Sequence, residues 1–133
     1  LSLKDISVAD LDAKVAEPAT ESMTGEELLA HLRESHRTEA YVVNPQGTLT
    51  GVVPILSALS NPDKTASALI GNDYLALNLG DDLQQALGIA RRFVGEAIPV
   101  VDEAGALVGC LSEGAILGGT LDRQEEVKGR ERN

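Results

Sequence analysis

Few residues in this sequence have types and spacings that could do chemistry. His31 and His36 are the two histidines. Five residues apart on a helix, they face different directions and read as solvated side chains, not as a metal-binding or catalytic pair. Ser22, Ser35, Ser57 and Ser112 have no base or oxyanion motif around them. Cys110 is the single cysteine, so no intramolecular disulfide can form, and its apolar surroundings suit a buried, inert thiol. No phosphate loop, zinc spacing or dinucleotide fingerprint occurs. Gly114, Gly118 and Gly119 are spaced wrongly for a phosphate cradle and read as the end of a helix. Asp81, Asp82, Asp102 and Glu103 have the charge to attract Mg²⁺, but turn and cap duty accounts for them. Arg33, Arg37, Arg91 and Arg92 fall toward the ends of two long helices, where they either offset the helix dipole or reach phosphate groups. Catalysis is not expected, and no metal site is assigned.

Those residues must be positioned by an aliphatic scaffold. Of 133 residues 43% are hydrophobic, yet Tyr41, Tyr74 and Phe93 are the only aromatics. Leu, Val, Ile and Ala must supply the core, which suits layered α/β packing. The formal net charge of −10 argues against nucleic acid and against an anionic membrane surface as partners. No apolar run reaches the ~20 residues that span a bilayer, so direct membrane insertion is not expected.

The organisation shows when the chain is laid on itself so that Val42 meets Val100. Between 39–59 and 97–117, six of 21 positions are then identical without a gap: Val42/Val100, Val43/Val101, Gly47/Gly105, Leu49/Leu107, Gly51/Gly109 and Leu59/Leu117. Chance gives about one or two in so biased a composition. Thr24 with Glu27 reads as a capping box, and Asp82 with Gln85 repeats it at the same offset. Each cap opens a helix, to about residue 36 and about residue 93. Each helix is followed by a hairpin around a glycine turn, with strands near 40–43 and 48–53 in one copy and 98–101 and 106–111 in the other. A short helix follows, from Pro54 or after Ser112. A short strand is expected ahead of each capped helix, near 16–20 and 74–79, the first weakened by Pro18. The unit is βαββα. Its bounds read as repeat 1 over 1–61, a linker over 62–65, repeat 2 over 66–121 and a charged tail over 122–133. One copy is too small to bury its own sheet face, so the two are expected to pack as a pseudo-twofold pair with two clefts between them.

The repeat resembles the cystathionine-β-synthase (CBS) domain in its tandem, Bateman-module form. The residues that carry the resemblance are Ile98-Pro99-Val100-Val101-Asp102, then Gly105, Leu107, Val108, Gly109 and Ser112, with a more divergent copy at Tyr41-Val42-Val43-Asn44, Gly47, Leu49 and Gly51. The resemblance implies a non-catalytic sensor that takes an adenine nucleotide (ATP, ADP or AMP) in the inter-repeat clefts, and modules that pair into a homodimer. Carried onto this chain, the ligand positions are Thr20, Arg37, Tyr41, Pro54 and Ser57 from the first copy and Arg92, Ile98, Pro99 and Ser112 from the second. The family pattern has Ser or Thr after the second hairpin strand and Asp three residues later. Here those positions are Pro54 and Ser57, and Ser112 and Ala115. Without the Asp the ribose hydroxyls lose a bidentate acceptor. The expectation is therefore a regulatory and assembly role ahead of nucleotide sensing.

The phrase Thr38-Glu39-Ala40-Tyr41-Val42-Val43 and the eroded ligand motif look like those of the chloride channels and antiporters of the ClC family, which carry a CBS pair at the C-terminal, cytoplasmic side. The resemblance thus implies a module that modulates gating and contacts the membrane transport domain of its parent chain. The alternative is a nucleotide- or Mg²⁺-sensing module of a metabolic enzyme or another transporter.

Overall fold

The computed structural model describes residues 2–71, 73–93 and 95–119. The charged tail over 122–133 lies outside them. Two 3-10 turns, Leu3–Asp5 and Val8–Asp10, are followed by β1 (Ala19–Thr20), α1 (Gly25–Ser35), β2 (Glu39–Val43), β3 (Leu49–Pro54), α2 (Ile55–Ser60), α3 (Ala66–Leu69), β4 (Leu77–Asn78), α4 (Leu83–Ala90), β5 (Ile98–Val101) and β6 (Leu107–Leu111). A last helix, α5, covers 113–119.

The α/β class and the two βαββα repeats are observed. The sheets have orders β1-β2-β3 and β4-β5-β6, each with a parallel then an antiparallel pairing. Ala19 pairs with Val42 and Leu77 with Val100; Val42 pairs with Gly51 and Val100 with Gly109. Every one of these positions recurs at the repeat offset, including the register break at Val42/Val43 and at Val100/Val101. Both hairpins turn on a glycine with positive φ, 84° at Gly47 and 85° at Gly105, a conformation that a side chain resists. The side chain of Asn44, like that of Asp102, accepts two backbone N–H bonds of its own turn. Both capping boxes form: Thr24 accepts from the Glu27 N–H at 3.2 Å, and Asp82 from that of Gln85 at 2.8 Å.

Several elements differ from the sequence expectation. The leading strands shrink to two residues each, because pairing begins only past Pro18 and past Ala76. The second long helix stops at Ala90. The 3-10 turns and α3 have too little periodicity to announce themselves, and tertiary packing makes them.

The two ends of the repeats are exchanged. Residues 6–14 pack on the second sheet: Ile6 O accepts from Leu83 N–H at 2.9 Å, and Lys14 exchanges two backbone bonds with Cys110. Residues 61–70 do the same for the first half, with Lys64 O accepting from Gly25 N–H at 2.8 Å. Val8, Leu11 and Ala13 accordingly join the second core, and Ala66, Leu69 and Ile70 join the first. Gly51 and Gly109 lie where the exchanged segments cross, and a Cβ there would meet Ile70 or the Lys14 carbonyl.

The two cores reach the same filling by opposite means. In the first, the strands contribute Ala19 and Ala40 and the helix contributes Leu28 and Leu32. At the equivalent places the second has Leu77 and Ile98 on strands, and Ala86 and Ala90 on the helix. Large and small residues change layers, so the summed side-chain size of these four positions is nearly the same in both halves.

A third cluster, with Ala16, Tyr41, Leu49, Ala97 and Cys110 buried, joins the halves. Leu49 N–H donates to Gly105 O at 3.0 Å, and its counterpart Leu107 N–H donates to Gly47 O at 3.1 Å. Thr48 pairs with its own counterpart, Ala106. A reciprocal pair of bonds around self-equivalent residues is the signature of a twofold relation between the repeats.

Candidate functional site

The pseudo-twofold axis leaves a cleft on either side of it, and the residues lining the two are not alike. The first has a volume of about 240 Å³. Tyr41, Val52 and Pro54 reach it from the first sheet, Ala97 and Pro99 from the second, and Tyr74, Leu75 and Phe93 close it. Glu39 and Asp73 are its charged residues. Every aromatic residue of the chain lines this one cavity.

The second cleft is smaller, about 140 Å³. Its polar residues are Asp12, Lys14, Arg37, Glu96 and Ser112, beside Cys110 and Ala115. Arg37 is fixed there: it donates to the Tyr41 hydroxyl at 2.9 Å and to Cys110 Sγ at 3.2 Å. Its guanidinium lies 4.7 Å from the centroid of the Tyr41 ring, and its Nε is buried without a partner. The Tyr41 hydroxyl donates in turn to Ala97 O at 2.8 Å. Tyr41 is thus the wall between the clefts, and burial pushes its hydroxyl pKa well up, so it stays a neutral donor. Burial also raises the Glu39 carboxyl above its ordinary 4.5; the Glu96 carboxylate pushes the same way, while the Glu96 N–H and Arg37 oppose.

Of the ligand positions expected from the sequence, Tyr41, Pro54 and Pro99 line the first cleft, and Arg37 and Ser112 the second. The Ser112 hydroxyl accepts the Ala115 N–H at 3.0 Å, as an N-cap of α5. Ile98 is fully buried in the core of the second half. Thr20 and Arg92 are exposed and Ser57 half-buried, and none of them lines either cleft. Glu39, Asp73, Tyr74, Phe93 and Lys14 were not anticipated. In the repeat register, Tyr74 and Phe93 fall on Ala16 and Ser35. Asking where the repeats differ, instead of where they match, would have found them.

The other polar candidates have local duties. His31 Nε2 lies 3.1 Å from Glu17 O. Asp81 accepts the Asn78 N–H at 2.9 Å. Among the described residues, no group of three or more His, Cys, Asp or Glu side chains could hold a metal ion. None of their helices is long and apolar enough to cross a membrane.

Comparison with known proteins gives this geometry a place. The family model "CBS domain" matches residues 66–120. No curated protein sequence matches the chain. Among solved structures, the cytosolic domain of the Mg²⁺ channel MgtE in complex with ATP matches with a TM-score of 0.76 at 23% identity, over 86% of this chain. The chain spans only 48% of that structure's length. A CBS domain pair/ACT domain protein from Thermotoga maritima matches with a TM-score of 0.77 at 23% identity, over 89% of this chain and 98% of its own. CBSX2 in complex with AMP matches with a TM-score of 0.74 at 20% identity, over 90% and 98%. Residues 66–120 therefore match the CBS domain family, and the described chain as a whole has the fold of a CBS pair.

Proposed function

We propose that this chain is a non-catalytic regulatory module whose second cleft takes the phosphate of an adenine nucleotide. The observation that carries the reading is the convergence of Lys14, Arg37 and the Ser112 hydroxyl on one cleft, in a protein of net charge −10. In the second cleft Lys14 and Arg37 balance the carboxylates of Asp12 and Glu96 and, with a hydroxyl at the start of α5, suit a phosphate better than the first cleft, where Glu39 and Asp73 have no base among the described residues along it. ATP and AMP are bound by two of the fold relatives, which supports the ligand class. Arg37 lines this cleft while bonded to Cys110 and Tyr41, so contact with the phosphate requires Arg37 to leave Cys110 and turn toward it. That exchange of partners is the signal: it loosens the Tyr41–Ala97 tie between the repeats, and ligand binding then biases the relative pose of the halves.

Calorimetry with AMP and ATP tests this. Saturable heat is expected, with Ser112→Ala and Lys14→Ala each weakening the affinity about tenfold. No heat, together with no rise in melting temperature at high nucleotide, would sink the reading.

The module is further proposed to sit on the cytoplasmic side of a membrane transport protein, and to pair with a second copy. Leu56 and Leu59 on α2 and Leu117 on α5 are exposed by 71%, 55% and 46%, and Leu59 and Leu117 are repeat equivalents. These exposed leucines give each helix an apolar face that suits a homodimer. A monomer in sedimentation at high protein concentration counts against it. The ClC-type parent rests on the resemblance of 38–43 and on the eroded Asp positions. A Mg²⁺-transporter parent is the second reading, favoured by magnesium transport proteins among the fold relatives. Mg²⁺ that raises the melting temperature beyond an ionic-strength control selects the second; an unchanged melt selects the first.

A further inference from the structure

The first cleft has no part in the nucleotide reading, and its lining has a chemistry of its own. We propose that it binds a small organic cation, a quaternary or protonated amine, held against Tyr74, Phe93 and Tyr41 and neutralised by Glu39 and Asp73.

The argument begins with composition. A chain with three aromatic residues has placed all of them around one cavity of about 240 Å³. Their counterparts in the other half are Ala16, Ser35 and Pro99, so the scaffold does not require rings there. Pro54 and Pro99 add rigid apolar wall. Aromatic faces carry negative potential, and a weakly hydrated cation gains from them what an anion loses.

Charge fixes the sign. Glu39 and Asp73 line the cavity, and among the described residues no Lys, Arg or His does. Arg37, the cation that acts on Glu39, does not line the cavity and is engaged with the Tyr41 hydroxyl and with Cys110. A phosphate entering here would meet two carboxylates with no base among the described residues lining the cavity. Metal ions fit poorly too, because Ca²⁺ or Mg²⁺ wants about six oxygen ligands and the walls are rings and prolines. The volume is worth about eight waters, which suits a ligand of several to ten heavy atoms.

The molecule carries its own reporter. It has no tryptophan, and both of its tyrosines line this cavity, so tyrosine emission reads the site directly. The experiment titrates the chain with choline chloride and tetramethylammonium chloride, with NaCl at equal ionic strength and adenosine as controls. A saturable change in emission is expected with the organic cations and not with NaCl. Asp73→Asn and Phe93→Leu should each weaken it about tenfold. Asp73 is exposed, so its variant leaves the fold intact if Phe93→Leu does not. The proposal is overturned if the cations change emission only as NaCl does, or if adenosine binds as well and Asp73→Asn leaves every affinity unchanged. Ser112→Ala separates this from the nucleotide reading: it should weaken AMP and leave the cation response as it was.

Discussion

Where the first half of the molecule places Arg37, Tyr41 and Pro54, the second places Gly95, Pro99 and Ser112. Where the second places Tyr74 and Phe93, the first has Ala16 and Ser35. Strand register, hairpin glycines, helix caps and exchanged segments meanwhile recur at a constant offset. The backbone of a pair like this is constrained twice, once within each half and once across the axis, so its positions resist change. Side chains facing the clefts are constrained only by what they must not block. Two clefts related by symmetry can therefore diverge, one becoming aromatic and acidic and the other lined by Arg37 and Lys14.

The largest effects should come from breaking the way the two cores balance volume. Ile98→Ala empties a fully buried site beside Ala86 and Ala90, which cannot fill it. A loss of about 2–5 kcal/mol is expected in urea unfolding. The mirror change, Ala40→Ile, overfills a site already packed by Leu28 and Leu32 and should cost about 1–3 kcal/mol. Adding Leu32→Ala to Ala40→Ile rebuilds the second half's solution inside the first, so the double variant should be more stable than the sum of its parts. Strict additivity would show that the layers do not compensate.

A smaller effect tests the wall between the clefts. Tyr41→Phe removes a hydroxyl that donates to the buried Ala97 carbonyl and accepts from Arg37, and should cost about 1–3 kcal/mol. Tyr74→Phe loses a single 3.2 Å bond to Leu49 O at a half-buried site, so about 1 kcal/mol or less is expected. Equal costs would mean that Tyr41 is not the tie between the halves.

These contrasts mark what was legible in the sequence. The scaffold was, because its signals are local and doubled: Thr24 with Glu27 and Asp82 with Gln85, then Gly47 and Gly105 at a fixed offset. The exchange of residues 6–14 and 61–70 was not, because segments that short carry no periodicity and gain their structure by packing on a distant strand. The cleft was half legible. Family positions led to Tyr41, Pro54, Pro99, Arg37 and Ser112. Glu39, Asp73, Tyr74 and Phe93 depend on how two sheets meet across an axis, and no spacing along the chain encodes that. Arg92 shows the converse: treated alike with Arg37, it is not its counterpart in the repeat register, where it falls on Glu34, and it ends exposed.

The smallest effect is electrostatic and concerns the acidic cleft alone. The folded protein holds the Glu39 carboxyl above its ordinary value of 4.5, first through burial and then through Glu96. A carboxyl whose folded pKa is raised favours the folded state while protonated. That contribution is fully present below the unfolded value and is lost as pH rises through the folded one. Glu39→Gln removes the titration yet keeps an oxygen for the Glu96 N–H. Its stability relative to the parent should therefore improve as pH rises from 4.5, and level off once Glu39 is fully ionised. The half-exposed side chain is screened by water, so the gain should stay below the hydroxyl effects above. Urea melts from about pH 4 to about pH 7 read it directly. A variant that loses ground with rising pH would mean that Glu39 is held ionised by a cation, and would move Arg37 from the second cleft to the first.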